Sequence, residues 1–156
     1  MLVLQKKRLH LGLFRRKLKL SVDFENATWN TVAAHEVFIV TGMVDAFVMA
    51  YIKESLTSGG GATFAFGHEA TTTYFTANIA VASLVANRVI VSGGLTQGAV
   101  HLLAHPSQAH HSIFHGVDLG YTIGTAAMTN GTIEFYAYWN PLSPGAKIEL
   151  GAGGPL

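Results

Sequence analysis

The chain has no cysteine among its 156 residues, which removes disulfides, thiolate nucleophiles and cysteine-ligated zinc together and gives no sign of an oxidising compartment. Stability must come from packing or from assembly. Charge is scarce as well: 12% of residues are Asp, Glu, Lys or Arg, roughly half the usual share of a soluble domain. Such a surface is finished with Thr, Ser, Asn and Gly, or covered by neighbours. Long apolar runs are also missing. The uncharged stretch Ala70 to Asn87 has the length of a membrane span, but four threonines and two asparagines make it too polar for one. A secretory signal needs an unbroken apolar core after its basic start, and Arg15, Arg16, Lys17 and Lys19 break it here. The expectation is a protein of the cytoplasm or of a particle assembled there.

The charge that is present is divided. Met1 to Lys19 carries seven Lys/Arg and no acid, whereas Leu20 to Leu156 carries three against nine, so the head is +7 and the body 3 − 9 = −6. In the head, Lys6, Lys7 and Arg8 are followed by Arg15, Arg16, Lys17 and Lys19, with Leu9, Leu11, Leu13 and Leu18 between them. Apolar residues recur at every second position through Leu18, Leu20, Val22 and Phe24, which is the period of a strand. An extended basic arm of this kind suits strand addition to the edge of another protein's sheet, with the cations meeting acids. Nucleic acid fits the arm less well, because only Phe14 could stack on a base among its charges. An anionic membrane fits less well again, because the hydrophobic period is two.

From His35 onward the segments are short, β-branched or aromatic, and punctuated by turns, as in HEVFIVTG, MVDAFVMAYIKE, RVIVSGG and GTIEFYAYWNPL. They predict eight or nine strands and an all-β domain, a jelly-roll or Greek-key sandwich with an extended basic N-terminal arm. The arm spans 1–24, the sandwich 25–150 and a flexible tail 151–156. In GTIEFYAYW, Ile133, Phe135, Ala137 and Trp139 form the face expected to bury, leaving Tyr136 and Tyr138 on the other as possible interface residues. AKIEL is expected to close a hairpin with that strand across NPLSPG. SLTSGGGATF reads as a loop between strands, since it lacks the GK[ST] ending of a phosphate-gripping loop. The segment TTTYFTANIAVASLVAN is the one expected helix.

Histidine is the enriched reactive residue, with His101, His105, His110, His111 and His115 inside fifteen positions. They are weak metal candidates, because Pro106 argues against a helix and no acid lies between Glu69 and Asp118. The expectation is no metal and no cofactor, with the imidazoles serving as neutral polar groups. There is no G-x-S-x-G elbow, and the acid/base pairs His68–Glu69 and His115–Asp118 join residues close in sequence, where neighbouring strand side chains point to opposite faces. No enzyme activity is expected.

Two blocks, ATWNTVAAHEVFIVTGMVDAFVMAYIKESLTSGGGATFAFG and DLGYTIGTAAMTNGTIEFYAYWNPLSPGAKI, resemble small all-β structural proteins of tailed bacteriophages over Ala27 to Ile148. The resemblance implies a capsid decoration, or cement, protein on the virion exterior. Its partners would be the major capsid protein and other copies of itself, as a dimer or trimer. A tail, neck or fibre protein is the alternative within the same setting, and a nucleic-acid- or membrane-binding module the alternative outside it.

Overall fold

The computed structural model describes residues 16–91, 94–95 and 112–156. Eleven strands occupy them: β1 (Arg16–Asp23), β2 (Ala34–Thr41), β3 (Met43–Ser58), β4 (Thr63–His68), β5 (Thr71–Ala80), β6 (Arg88–Val91), β7 (Gly94–Leu95), β8 (Ser112–His115), β9 (Leu119–Gly124), β10 (Met128–Pro141) and β11 (Lys147–Leu150). A single 3-10 turn, Val81–Ser83, follows β5. All pairings are antiparallel. One sheet runs β1-β10-β3-β6-β7, with β8 also paired to β3, and the other runs β11-β2-β9-β4-β5. Without the short β6 and β7 and the added β11, the orders are β1-β10-β3-β8 and β2-β9-β4-β5. The chain thus alternates between sheets as a jelly roll does, and the expected sandwich is observed.

The sandwich forms because its strands bury alternate side chains against one another. Across the first sheet, Leu20, Phe135 and Ala50 stand in one row and Val22, Ile133 and Ile52 in the next. Across the second, Phe66 stands beside Tyr121, which stands beside His35. The layers meet at Phe135, whose ring stacks on Tyr121 at 5.5 Å and lies 5.2 Å from Phe66. Ile133, Phe135, Ala137 and Trp139 are buried as the alternation requires. Trp29 packs against the core from the β1–β2 connection.

Four expectations need correction. Residues 16–23 are not part of a free arm: they form β1, paired through its length with the chain's own β10, because Leu18, Leu20 and Val22 complete the inner face there. The expected helix is instead β5 and a 3-10 turn; in β5, Phe75 and Thr76 are buried side by side at an irregular register, which hides the strand period. β11 does not pair with β10 but crosses to β2 in the other sheet. The tail 151–156 continues that pairing. Gly151 donates to Val37 O, Glu36 donates to Gly154 O, and Pro155 bridges to His35. The glycine loop joins β3 to β4 as expected.

The two outer faces differ in kind. On the second sheet, Ala34, Thr122 and Ala65 form one outer row and Glu36, Gly120 and Gly67 the next, so the face is small-residued. On the first, Lys17, Tyr138 and Phe47 form one row, Lys19, Tyr136 and Met49 the next, and Ser21, Glu134 and Tyr51 the third. This basic and aromatic face includes β1, the first described strand.

Candidate functional site

The basic run named from sequence is divided by the start of β1. Lys6, Lys7, Arg8, Leu9, Leu11, Leu13 and Arg15 lie outside the described residues, as do His101, His105, His110 and His111. Arg16, Lys17, Leu18 and Lys19 lie inside, and the sheet dictates where each points. Leu18 packs on the core. Arg16 faces inward at the strand end, its guanidinium 4.7 Å from the centre of the Trp139 ring. Lys17 and Lys19 face outward and fold over β10. Lys17 Nζ stands 5.0 Å from the Tyr136 ring and 5.5 Å from that of Tyr138, distances at which a cation is attracted to the ring face. Lys19 Nζ lies 2.6 Å from Glu134 Oε1 and 5.8 Å from the Tyr136 ring.

Tyr136 and Tyr138 are therefore not bare contact residues. Their rings stack on each other at 6.4 Å, each half-buried, with the lysines above them. The Tyr136 hydroxyl donates to Glu134 Oε2 at 2.5 Å, so both carboxylate oxygens are bonded. Glu134 sits at 8% exposure. Its pKa is held below the ordinary carboxylate range, first by the Lys19 hydrogen bond and then by that of Tyr136. The same bond pushes the Tyr136 phenol up to about 12. The strand period puts Glu134 on the tyrosine face but gives it no role; the role comes from the pairing of β1 with β10, which sets Lys19 opposite Tyr136 and within reach of Glu134.

A depressed carboxylate stabilises the fold above the unfolded-state pKa, and that contribution disappears as pH falls through the folded value. Glu134→Gln is expected to cost about 1 kcal/mol at neutral pH, a figure kept small because the Lys19 side chain is 45% exposed and screened by water. The deficit should close only in acid well below the ordinary glutamate value of about 4.3, since the depressed carboxyl keeps its charge below that value in the folded protein. Urea titrations at neutral and acid pH check this.

His68, Glu69, His115 and Asp118 each have separate surroundings. His68 ends the inward row Phe64, Phe66, His68, beside the rings of Tyr74 at 4.9 Å and Phe114 at 6.3 Å, with Nδ1 buried and unbonded. Burial lowers its pKa, partly offset by Glu69, which is itself exposed in the next turn. Asp118 accepts from the Val40 N–H at 2.9 Å and bonds the Glu36 carboxyl. Burial, then the Asp118 charge, raises the Glu36 pKa. His115 lies exposed opposite Met43. Among the described residues no three His, Asp or Glu side chains converge as metal ligands, and no helix is long and apolar enough to cross a membrane.

No protein-family model matches the chain, and no curated protein or solved structure is significantly similar to it. The basic strip of β1 over the aromatic strip of β10 is the most distinctive arrangement among the described residues. In it two lysines lie over tyrosine rings, and both oxygens of the Glu134 carboxylate are bonded.

Proposed function

We propose that the protein is a structural component of a phage virion that binds the outer surface of the capsid and cements neighbouring capsid subunits. The arm that does so is the segment up to Arg15. The supporting observation is the junction at Arg16: the basic run continues without a break into β1, which packs into a sheet edge and is pinned by Arg16 on Trp139 and Lys19 on Glu134. A clamp needs a rigid end, and here tension on the arm would be carried by a whole antiparallel ladder. Lys6, Lys7, Arg8 and Arg15 would meet acids on a capsid subunit, while Leu9, Leu11 and Leu13 would sit on alternate positions of an added strand.

The domain itself carries nine acids against Arg16, Lys17, Lys19, Lys53, Arg88 and Lys147 in the described residues, a net charge of 6 − 9 = −3. The arm's cations therefore contrast with the body that holds them, which favours contact with a surface other than the body's own. Placement in the tail, neck or fibre keeps the same chemistry with a different partner.

The test is truncation at two points. Removing residues 1–15 is expected to leave the melting temperature unchanged and abolish binding to empty capsids in a sedimentation assay. Removing 1–24 should destabilise the domain as well, because β1 and Phe24 go with it. Full binding by the shorter deletion would overturn the arm's role.

A further inference from the structure

Edge strands invite pairing with other chains, and proteins ordinarily blunt them with short length, bulges, prolines or charges that stand over the edge. Three of the edges here are blunted. β5 has two irregularities in its register with β4. β11 has four residues, carrying Lys147 and Glu149 in an ion pair at 2.7 Å. β7 has two residues. β1 is different. Its eight residues pair with β10 in unbroken register from Arg16↔Trp139 to Asp23↔Thr132, with no proline and no bulge. Its far side pairs with no other strand among the described residues. The lysines that would normally guard such an edge are turned away from it, since Lys17 lies over Tyr136 and Tyr138, and Lys19 is bonded to Glu134 on the neighbouring strand. Leu18 and Leu20 at this edge remain only partly buried.

The sequence of β1 is also complementary to itself when reversed. Opposed residues in an antiparallel pair share a face, so register shifts must preserve the alternation. With Leu20 placed on a two-fold axis, Lys17 lies opposite the partner's Asp23 and Lys19 opposite the partner's Ser21, on the outer face; Lys17 is exposed and would leave its tyrosine rings to meet that aspartate. On the inner face, Leu18 lies opposite the partner's Val22, and Leu20 opposite the partner's Leu20. Each Lys17–Asp23 pair occurs twice by symmetry. Sliding the strands two residues one way opposes Lys19 to the partner's Lys19, a like-charge contact. Sliding them the other way opposes Ser21 to the partner's Ser21, leaves Lys17 beyond the paired strand, and shortens the ladder.

We propose that β1 is a self-association edge: two copies of the chain join β1 to β1 antiparallel about Leu20, making one sheet continuous across the pair. The aromatic outer faces then lie side by side and the arms leave in opposite directions. The occupant is a second copy because the edge matches its own reverse in both charge and apolar pattern. The proposal does not depend on capsid binding and is tested without capsids.

The absence of native cysteine makes the test direct. Single variants Leu20→Cys, Lys19→Cys and Ser21→Cys of the full chain are oxidised in air and run on non-reducing gels, beside sedimentation velocity of the unmodified protein. The expected result is a dimer in which Leu20→Cys cross-links nearly completely, while the other two cross-link weakly. Asp23→Lys should raise the dissociation constant about tenfold, since two attractive pairs become repulsive. A monomer at all concentrations, or cross-linking through Lys19→Cys or Ser21→Cys as readily as through Leu20→Cys, would overturn the proposal. A trimer that Leu20→Cys does not link would overturn it too.

Discussion

Replacing Tyr121 by alanine is expected to lower unfolding free energy by about 3–5 kcal/mol, the range for deleting a large buried aromatic side chain. Tyr121 is completely buried in β9. It is the hub of the core: Phe135 of the opposite sheet stacks on it at 5.5 Å, Phe64 at 5.4 Å and His35 at 5.0 Å, and Phe24 meets it edge-on at 5.6 Å. Removing the ring leaves a void bordered by side chains from both sheets, and strands pinned in two ladders cannot collapse to fill it. The hydroxyl is separable from the ring. It donates to Trp29 O at 2.7 Å, tying the β1–β2 connection to the core, and burial pushes its pKa far above the usual phenol range. Tyr121→Phe should cost about 1 kcal/mol for the lost bond and the carbonyl left without it. Equilibrium urea unfolding of the two variants separates ring from hydroxyl. Equal losses would show that the stack contributes little beyond the hydrogen bond.

Gly120→Ala is expected to cost about 1–3 kcal/mol through overpacking, more if the strands must separate. Gly120 stands opposite Gly67 on one side and Glu36 on the other. A methyl group on Gly120 would run into the backbone carbonyl of His35, and one on Gly67 into the backbone of Thr71 and Thr72. Neither neighbour is a side chain that could swing away. The glycines mark places where the second sheet folds closely on itself, at the β2 register shift and the β4–β5 turn. Gly59→Ala is the control: nothing lies near its added methyl group, so its change should stay within about 0.5 kcal/mol. Thermal melts of the three proteins decide the matter.

Much of this architecture is legible in the residues. The alternation of Ile133, Phe135, Ala137 and Trp139 against Glu134, Tyr136 and Tyr138 names both faces of β10, and Leu18, Leu20 and Val22 mark β1 as a strand. What local pattern does not carry is the partner. β1 reads as a strand for another protein's sheet because nothing near it in sequence shows that β10, more than a hundred residues away, will take it. AKIEL reads as the return of a hairpin because the turn before it is genuine, yet Ile148 is needed beside Val40 in the other sheet. β5 escapes because its register with β4 is irregular, so burying Phe75 and Thr76 together breaks the period that identifies strands.

The site was half visible for the same reason. Lys17, Lys19, Tyr136 and Tyr138 are conspicuous as residue types, but that the lysines lie over the tyrosines follows from a register that only folding reveals. The tyrosines, read as surface for a partner, are already engaged by their own chain. Glu134 gained its place between Lys19 and Tyr136 by the same route.

The measurement closest to the central claim is the copy number of this chain in purified virions, compared on a quantitative gel with the major capsid protein. The account predicts a number comparable to that of the capsid subunits, as a cement over the shell requires. The stoichiometry of a tail component, or absence from the particle, would contradict it.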